Sequence, residues 1–140
     1  MSTATLKIWR GNRDRGAFQE YSTEVDEGMV VLDAVLGIQA EQANDLAVRW
    51  NCKAGKCGSC SAEINGNPRL MCMTRMDTIP IDRPITVEPM QAFPLIRDLV
   101  TDVSWNFKVK QKITPFTPKP ADGDDGTWRM QQRDVNRVQE

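Results

Sequence analysis

Residues 52–60 read Cys-Lys-Ala-Gly-Lys-Cys-Gly-Ser-Cys, and a fourth cysteine, Cys72, follows after eleven further residues. These are the four cysteines of a 140-residue chain that contains no histidine. The first three have the C-x4-C-x2-C spacing that ligates a plant-type [2Fe–2S] cluster. Scattered structural thiols do not bunch in this way. The spacing therefore predicts one metal centre with the ligands Cys52, Cys57, Cys60 and Cys72.

Two properties of the same stretch suit an anionic cluster. Gly55 and Gly58 lack side chains, so the backbone can wrap closely and direct its N–H groups at sulfur; both are predicted cofactor-binding residues. Residues 51–80 carry four basic and two acidic side chains, whereas residues 1–50 carry five basic and eight acidic ones. The segment with an excess of basic side chains is thus the one that contains the predicted cluster. Such an excess helps to compensate the negative charge of the cluster and its thiolates.

Other uses of these cysteines fit the spacing less well. A structural zinc site pairs two short knuckles, and the chain has one, Cys57-x-x-Cys60. A redox dithiol at that knuckle would leave Cys52 and Cys72 without a role. The absence of histidine excludes Ser-His and Cys-His nucleophiles, histidine-ligated haem and Rieske centres. A zinc-stabilised interaction module and a free-standing [2Fe–2S] ferredoxin-like carrier stay open as alternatives.

Hydrophobic periodicity predicts a small mixed sheet curled over one helix, an α+β fold. Two strands joined by a polar loop are predicted over residues 4–10 and 18–25, and an amphipathic helix over 31–42. Shorter strands are predicted over 46–50, 61–64, 69–73 and 85–88. The turn signal Asn65-Gly66-Asn67-Pro68 makes a hairpin of the strands beside it, which is expected to bring Cys72 opposite Cys60 on the neighbouring strand.

After the sheet, the pattern changes to a helical period. Residues 96, 99, 100, 103 and 107 are apolar and share one face of a predicted helix that begins at Leu95 and stops at Thr114-Pro115. Residues 118–126 have linker composition, and residues 127–140 form a polar segment that a helix capped by Thr127 fits. The predicted organisation is a domain over 1–93, a connecting helix and linker over 94–126, and the start of a helical domain over 127–140.

Net charge and hydropathy exclude some classes of binding partner and location. Eighteen basic and nineteen acidic residues give a net charge of −1, which provides no general field to attract nucleic acid. No apolar stretch is long enough to span a bilayer, and the N-terminus lacks the apolar core of a signal peptide. The chain is therefore expected to stay in the cytosol.

Three stretches of the chain carry a resemblance to a known family. They are the cysteine motif with Asn65-Gly66-Asn67, the segment Pro94-Leu95-Ile96-Arg97-Asp98-Leu99-Val100-Thr101-Asp102, and Val31-Leu32-Asp33-Ala34 in the first helix. The chain resembles the iron–sulfur subunit of succinate dehydrogenase and of fumarate reductase over its whole length. The resemblance implies a β-grasp, ferredoxin-like domain that holds one [2Fe–2S] cluster. No dinucleotide fingerprint for FAD occurs, so this chain alone is expected to do no substrate chemistry.

The same resemblance implies a set of partners. Electrons would come from the FAD of a flavoprotein subunit that oxidises succinate to fumarate, and would leave toward a membrane quinone. Relatives continue into a second domain with [4Fe–4S] and [3Fe–4S] clusters, which contacts membrane anchor subunits. Because no cysteine follows Cys72, the chain is expected to be either an N-terminal portion of such a subunit or a relative that holds a single cluster. Its expected location is peripheral, on the cytoplasmic face of the inner (plasma) membrane.

Overall fold

The computed structural model of the chain describes residues 2–115 and 132–139. Over those residues the backbone forms strands, α-helices and two short 3₁₀ turns, Met71–Met73 and Met76–Thr78. In chain order the strands and helices are β1 (Ser2–Gly11), β2 (Gly16–Val25), α1 (Val31–Glu41), β3 (Ser61–Ile64), β4 (Asn67–Leu70), β5 (Ile85–Glu88), β6 (Leu95–Arg97), β7 (Val100–Thr101), α2 (Ser104–Gln111) and α3 (Gln132–Gln139).

Five strands make one mixed sheet in the order β2-β1-β5-β3-β4. β1 pairs with β2 antiparallel and with β5 parallel, and β3 pairs antiparallel with both β4 and β5. The predicted loop between the first two strands is confirmed: the Asn12 side chain accepts hydrogen bonds from the N–H groups of Asp14 and Arg15. The predicted α+β class is confirmed as well.

The core lies between one face of this sheet and α1. Alternate residues of β1 and β5 are buried, and the helix buries its own apolar face. Each fully buried aliphatic side chain contributes about 1.5–3 kcal/mol. At the start of the helix, the Asp33 carboxylate accepts a hydrogen bond from the Val30 N–H at 3.1 Å, which satisfies a donor that the helix leaves unpaired. The core side chains are Leu6, Ile8, Ile85 and Val87 from the sheet and Val31, Leu32, Ala34, Val35 and Ile38 from the helix.

The predicted strand over residues 46–50 is wrong. These residues form no strand, and their backbone polar groups bond instead to side chains and to a later segment. The Gln39 amide donates to the Leu46 carbonyl at 2.8 Å, and the Ala47 carbonyl accepts from the Leu99 N–H at 3.2 Å. Because those partners take the groups that a sheet ladder needs, the segment runs irregularly into the cysteine loop.

The predicted helix from Leu95 is also wrong in its first part. Residues 95–101 form the antiparallel hairpin β6–β7, and the helix α2 begins only at Ser104. Asp98, at the turn, has φ +50°, which no α-helix accommodates. Leu99 is buried while Ile96 is exposed, so the apolar spacing does not mark one helical face.

The chain divides into two units, Met1–Asn106 and Phe107–Glu140. The predicted polar helix near the end is observed as α3, over Gln132–Gln139. The predicted linker over 118–126 and the Thr127 cap lie outside the described residues, and the boundaries after residues 93 and 126 stay predictions. In the described part of the chain, no helix has the length and apolar character needed to cross a bilayer.

Candidate iron–sulfur site

The β3–β4 hairpin closes through a two-residue turn at Asn65-Gly66, whose φ angles are +50° and +80°. Both central residues of such a turn need positive φ, which the Asn-Gly sequence provides. β4 ends at Leu70, so the expected strand over 69–73 is wrong in its second half, and Cys72 lies in the 3₁₀ turn that follows. The expected proximity is nevertheless present: the Cys72 N–H donates to the Cys60 Sγ at 3.4 Å, and both thiols are buried.

The Cys52 sulfur sits in a nest of backbone donors. Its Sγ accepts hydrogen bonds from the N–H groups of Ala54 and Lys56 at 3.3 Å and of Cys57 at 3.4 Å. The loop curls this tightly because Lys53 and Gly55 have φ +53° and +68°. Successive N–H groups that converge in this way stabilise a negative charge at the sulfur. The predicted backbone wrapping is therefore present at Gly55.

Cys57 is the exposed thiol of the four. The Ser59 hydroxyl lies 3.0 Å from its Sγ, and the Ser59 N–H donates to it at 3.5 Å. These contacts, the hydroxyl first, lower the pKa of Cys57 from 9.0 to about 6 together with hydrogen bonding to Cys52. Burial, in contrast, raises the pKa of Cys60. The loop thus favours a thiolate at its open side even before a metal binds.

Hydrogen bonds link the four cysteines in two pairs. The Cys57 N–H donates to the Cys52 Sγ, and the Cys72 N–H donates to the Cys60 Sγ. Among the residues that the structure describes, no three metal-ligating side chains gather in the way that one ion needs. Two irons with two thiolates each fit such a donor set.

Two contacts beside the loop escaped the sequence analysis. A Cβ on Gly55 would lie 2.9 Å from the Cγ of Met73, so Met73 packs directly over that glycine while remaining 61% exposed. The Lys53 ammonium lies 4.7 Å from the centroid of the Trp50 ring, a cation–π distance. Gly58 faces open space, so only its φ of +72° favours glycine there. No periodicity signals contacts between a loop and a neighbouring turn.

Residues 5–108 match the family described as the 2Fe-2S iron-sulfur cluster binding domain. This chain belongs to that family. The match covers more than half of the chain and includes all four cysteines. The [2Fe–2S] cofactor and the β-grasp class expected from the sequence are thereby confirmed for this 2Fe-2S domain protein.

Relatives of this 2Fe-2S domain protein carry the expected names. It is 36% identical over 116 residues to the fumarate reductase iron-sulfur subunit of Mycobacterium tuberculosis, covering 81% of this chain and 46% of that one. It is 34% identical over 127 residues to the mitochondrial succinate dehydrogenase [ubiquinone] iron-sulfur subunit of Candida glabrata, covering 85% and 50%. Against the succinate dehydrogenase iron-sulfur subunit of Paracoccus denitrificans, identity is 30% over 137 residues, covering 95% and 52%.

A solved structure agrees with these relatives. A chain of the Mycobacterium smegmatis Sdh1 complex in the apo form is 58% identical, with a TM-score of 0.86, over 98% of this 2Fe-2S domain protein and 57% of that chain. The resemblance stated from the motifs is confirmed. The chain spans about half the length of the curated relatives it matches.

The lowered pKa of Cys57 predicts a pH-dependent reactivity. In the cluster-free chain, alkylation of Cys57 by iodoacetamide should reach half its maximal rate near pH 6, because the thiolate is the nucleophile. Ser59→Ala should move that midpoint up toward the ordinary thiol range. The matched control is Ser61→Ala, whose hydroxyl donates to the Gly58 carbonyl and to no sulfur. Peptide mapping by mass spectrometry as a function of pH measures each site.

The lowered pKa of Cys57 also determines how the stability of the fold depends on pH. Since folding lowers this pKa, ionised Cys57 stabilises the fold fully at pH above its unfolded value of 9.0, and the contribution disappears as the pH falls through about 6. A midpoint for Cys57 that stays near 9, or that Ser59→Ala leaves unmoved, would contradict the role given to the Ser59 hydroxyl.

Proposed function

We propose that this chain is the electron-transfer iron–sulfur subunit of a succinate dehydrogenase, with a [2Fe–2S] cluster ligated by Cys52, Cys57, Cys60 and Cys72. The carrying observation is the paired arrangement of these thiols, with backbone N–H groups donating to the sulfurs of the first three. A bound [2Fe–2S] cluster supplies one-electron transfer. The names of the relatives and the Sdh1 complex support the assignment to succinate dehydrogenase.

The residues of the loop have separate tasks in this proposal. The N–H groups around Cys52 and the hydroxyl of Ser59 hold negative charge on sulfur. Lys53 and Lys56 are exposed on the same loop and offset the charge that an electron adds, while Arg75 is paired with Asp77 at 3.1 Å. Gly55 and Gly58 permit the left-handed turns on which the donors depend. The chain's chemistry is therefore charge stabilisation and not proton transfer.

The partners follow from the family resemblance. A flavoprotein subunit would oxidise succinate to fumarate on FAD and reduce this chain, which would pass electrons toward a membrane quinone. The organisation over 1–93, 94–126 and 127–140 would lead into a helical domain with [4Fe–4S] and [3Fe–4S] clusters and contacts to membrane anchor subunits. The protein would thus lie peripherally on the cytoplasmic face of the membrane. Its near-neutral net charge gives no support to a nucleic-acid partner.

Fumarate reductase is the second candidate, and the 36% identity to the Mycobacterium tuberculosis subunit of that name supports it. Both activities use the same kind of electron carrier with opposite flow. They are distinguished by which of the two substrates, succinate or fumarate, exchanges electrons faster with the assembled protein.

The first test is composition. The anaerobically purified chain should contain iron and acid-labile sulfide in equal amounts, about two of each. Zinc without sulfide would favour the interaction-module alternative, and iron without sulfide would contradict the cluster.

The second test is reduction by a partner. With succinate and an artificial acceptor, the chain alone should show no turnover, because succinate yields two electrons while a single [2Fe–2S] cluster accepts one. When a succinate dehydrogenase flavoprotein is added, succinate should reduce the cluster, as followed by visible absorption. If the flavoprotein neither binds the chain nor reduces it, a free-standing carrier becomes the better interpretation. Turnover by the chain alone would reveal an active site that the proposal lacks.

A further inference from the structure

Asp98, in the turn between β6 and β7, is a charged side chain with 1% exposure. Its Oδ1 accepts the Gly11 N–H at 2.6 Å and its Oδ2 accepts the Ala47 N–H at 2.8 Å. The Nε atoms of Arg10 and Arg97 lie 3.4 Å and 3.7 Å from Oδ2. A buried carboxylate is costly unless hydrogen bonds and opposite charges satisfy it, and here two backbone N–H groups donate to it while two guanidinium groups supply the opposite charge.

The backbone of the turn repeats the same connections. The Asp98 N–H donates to the Gly11 carbonyl at 2.8 Å, and the Leu99 N–H donates to the Ala47 carbonyl at 3.2 Å. Gly11 and Ala47 are therefore each held by a pair of hydrogen bonds, one from the Asp98 side chain and one from the turn backbone. The hairpin β6–β7 thereby fixes the end of β1 and the residues after α1 at one place.

One of these attachments bears on the cysteine loop. Residues 46–51, called here the entry segment, lead directly into Cys52 and belong to no strand. Besides Ala47, the entry segment is held by Arg49, whose Nη1 donates to the Thr101 carbonyl at 3.0 Å. The backbone path into the first cysteine is thus held by the β6–β7 hairpin and, at Leu46, by the Gln39 amide of α1 rather than by the sheet.

We propose that Asp98 is a positioning residue for the cluster loop, acting through Ala47, with Arg49 as its second contact through Thr101. The inference rests on the proposed function and adds a residue that lies outside the loop and is none of the four cysteines. A fixed entry segment holds the Cys52 sulfur beneath its N–H donors. A displaced one weakens those hydrogen bonds and with them the retention of the cluster.

Asp98→Asn in the holoprotein tests this. The amide keeps the size of the carboxylate but can accept only one of the two backbone N–H bonds, so Gly11 or Ala47 loses its acceptor. We expect an altered electron paramagnetic resonance spectrum of the reduced protein. Release of iron to a chelator should be about tenfold faster, the lower end of the loss seen when outer-shell partners of metal ligands are removed. Amide hydrogen exchange in the entry segment of the cluster-free chain should also speed up.

The matched control is Asp14→Asn, the same chemical change at an exposed residue of the β1–β2 loop, which should alter none of the three readouts. A purely structural Asp98 would lower the melting temperature yet leave the spectrum and the release rate at their wild-type values, and that result would overturn the proposal.

A second variant covers the case in which Asp98→Asn does not fold. Arg49→Met keeps a long unbranched side chain but removes the donor that reaches the Thr101 carbonyl. A changed spectrum and faster release in that variant support the proposal, and wild-type values overturn it. If the wild-type chain holds no iron and sulfide, the proposed function fails by itself. The exchange measurement on the cluster-free chain then still decides whether Asp98 fixes the entry segment.

Discussion

Cys57→Ala is expected to remove nearly all of the visible absorption of the anaerobically purified protein. Each iron of the cluster needs two thiolates, and no other exposed thiol in the chain can replace this one. Because cluster binding and folding of the loop are coupled, the variant should also unfold at a lower temperature than the holoprotein. Iron content, sulfide content and the visible spectrum measure the loss together.

Met73→Ala is the matched comparison for that variant. The Met73 sulfur is a soft donor beside the loop, since Met73 packs over Gly55. A thioether adds little as an iron ligand beside thiolates, so this variant should keep the visible spectrum. The cluster-free forms of both variants should show the same far-ultraviolet circular dichroism. A full spectrum in Cys57→Ala with its loss in Met73→Ala would show that the ligand set is wrong.

Gly55→Ala carries the second large effect, about 1–3 kcal/mol of lost unfolding free energy. Two causes combine at this position. The backbone φ of +68° disfavours any side chain, and the new Cβ would lie 2.9 Å from the Met73 Cγ. Urea unfolding of the cluster-free chain measures the loss, and the iron content of the holoprotein reports its consequence for the cluster.

Other glycines separate the two causes. Gly58 has a similar φ of +72° but faces open space, so Gly58→Ala should show the conformational cost alone. Gly37 in α1 has open space and no positive φ, and there alanine should stabilise by about 0.5–1 kcal/mol. The double variant Gly55→Ala/Met73→Ala should lose less than the sum of its single variants. Additive losses would mean that the contact between Gly55 and Met73 has no energetic role.

The sequence was sufficient where the deciding interactions are local or repeat with a simple period. The cysteine spacing predicted the cofactor, and the sequence motifs carried the resemblance to the family. Alternation along β1 predicted which side chains, such as Leu6 and Ile8, are buried. Asn65-Gly66-Asn67-Pro68 predicted a hairpin turn, and the turn narrows to Asn65-Gly66 because these two residues tolerate positive φ, while Asn67 and Pro68 join β4.

The sequence did not predict the backbone structure where contacts between residues far apart in the chain determine it. Apolar residues from Ile96 to Val103 have helical spacing, yet the chain forms a hairpin because the Asp98 carboxylate bonds to Gly11 and Ala47, which lie 87 and 51 residues away. The 3₁₀ turn at Cys72 and the packing of Met73 on Gly55 likewise depend on tertiary contacts. Sequence periodicity predicts the burial of a residue only when the local structure depends on residues that are near it in the sequence.

The hydrogen bonds that Gly11 and Ala47 make to Asp98 also limit the order in which the domain can fold during synthesis. During synthesis the four cysteines leave the ribosome before Asp98 does, because they lie between residues 52 and 72. Until residue 98 emerges, the N–H groups of Gly11 and Ala47 lack the carboxylate that accepts them in the finished fold. A nascent chain therefore contains all four thiols before the entry segment that leads to Cys52 has its contacts with Asp98. A fragment that stopped at residue 93 would stay in that condition permanently.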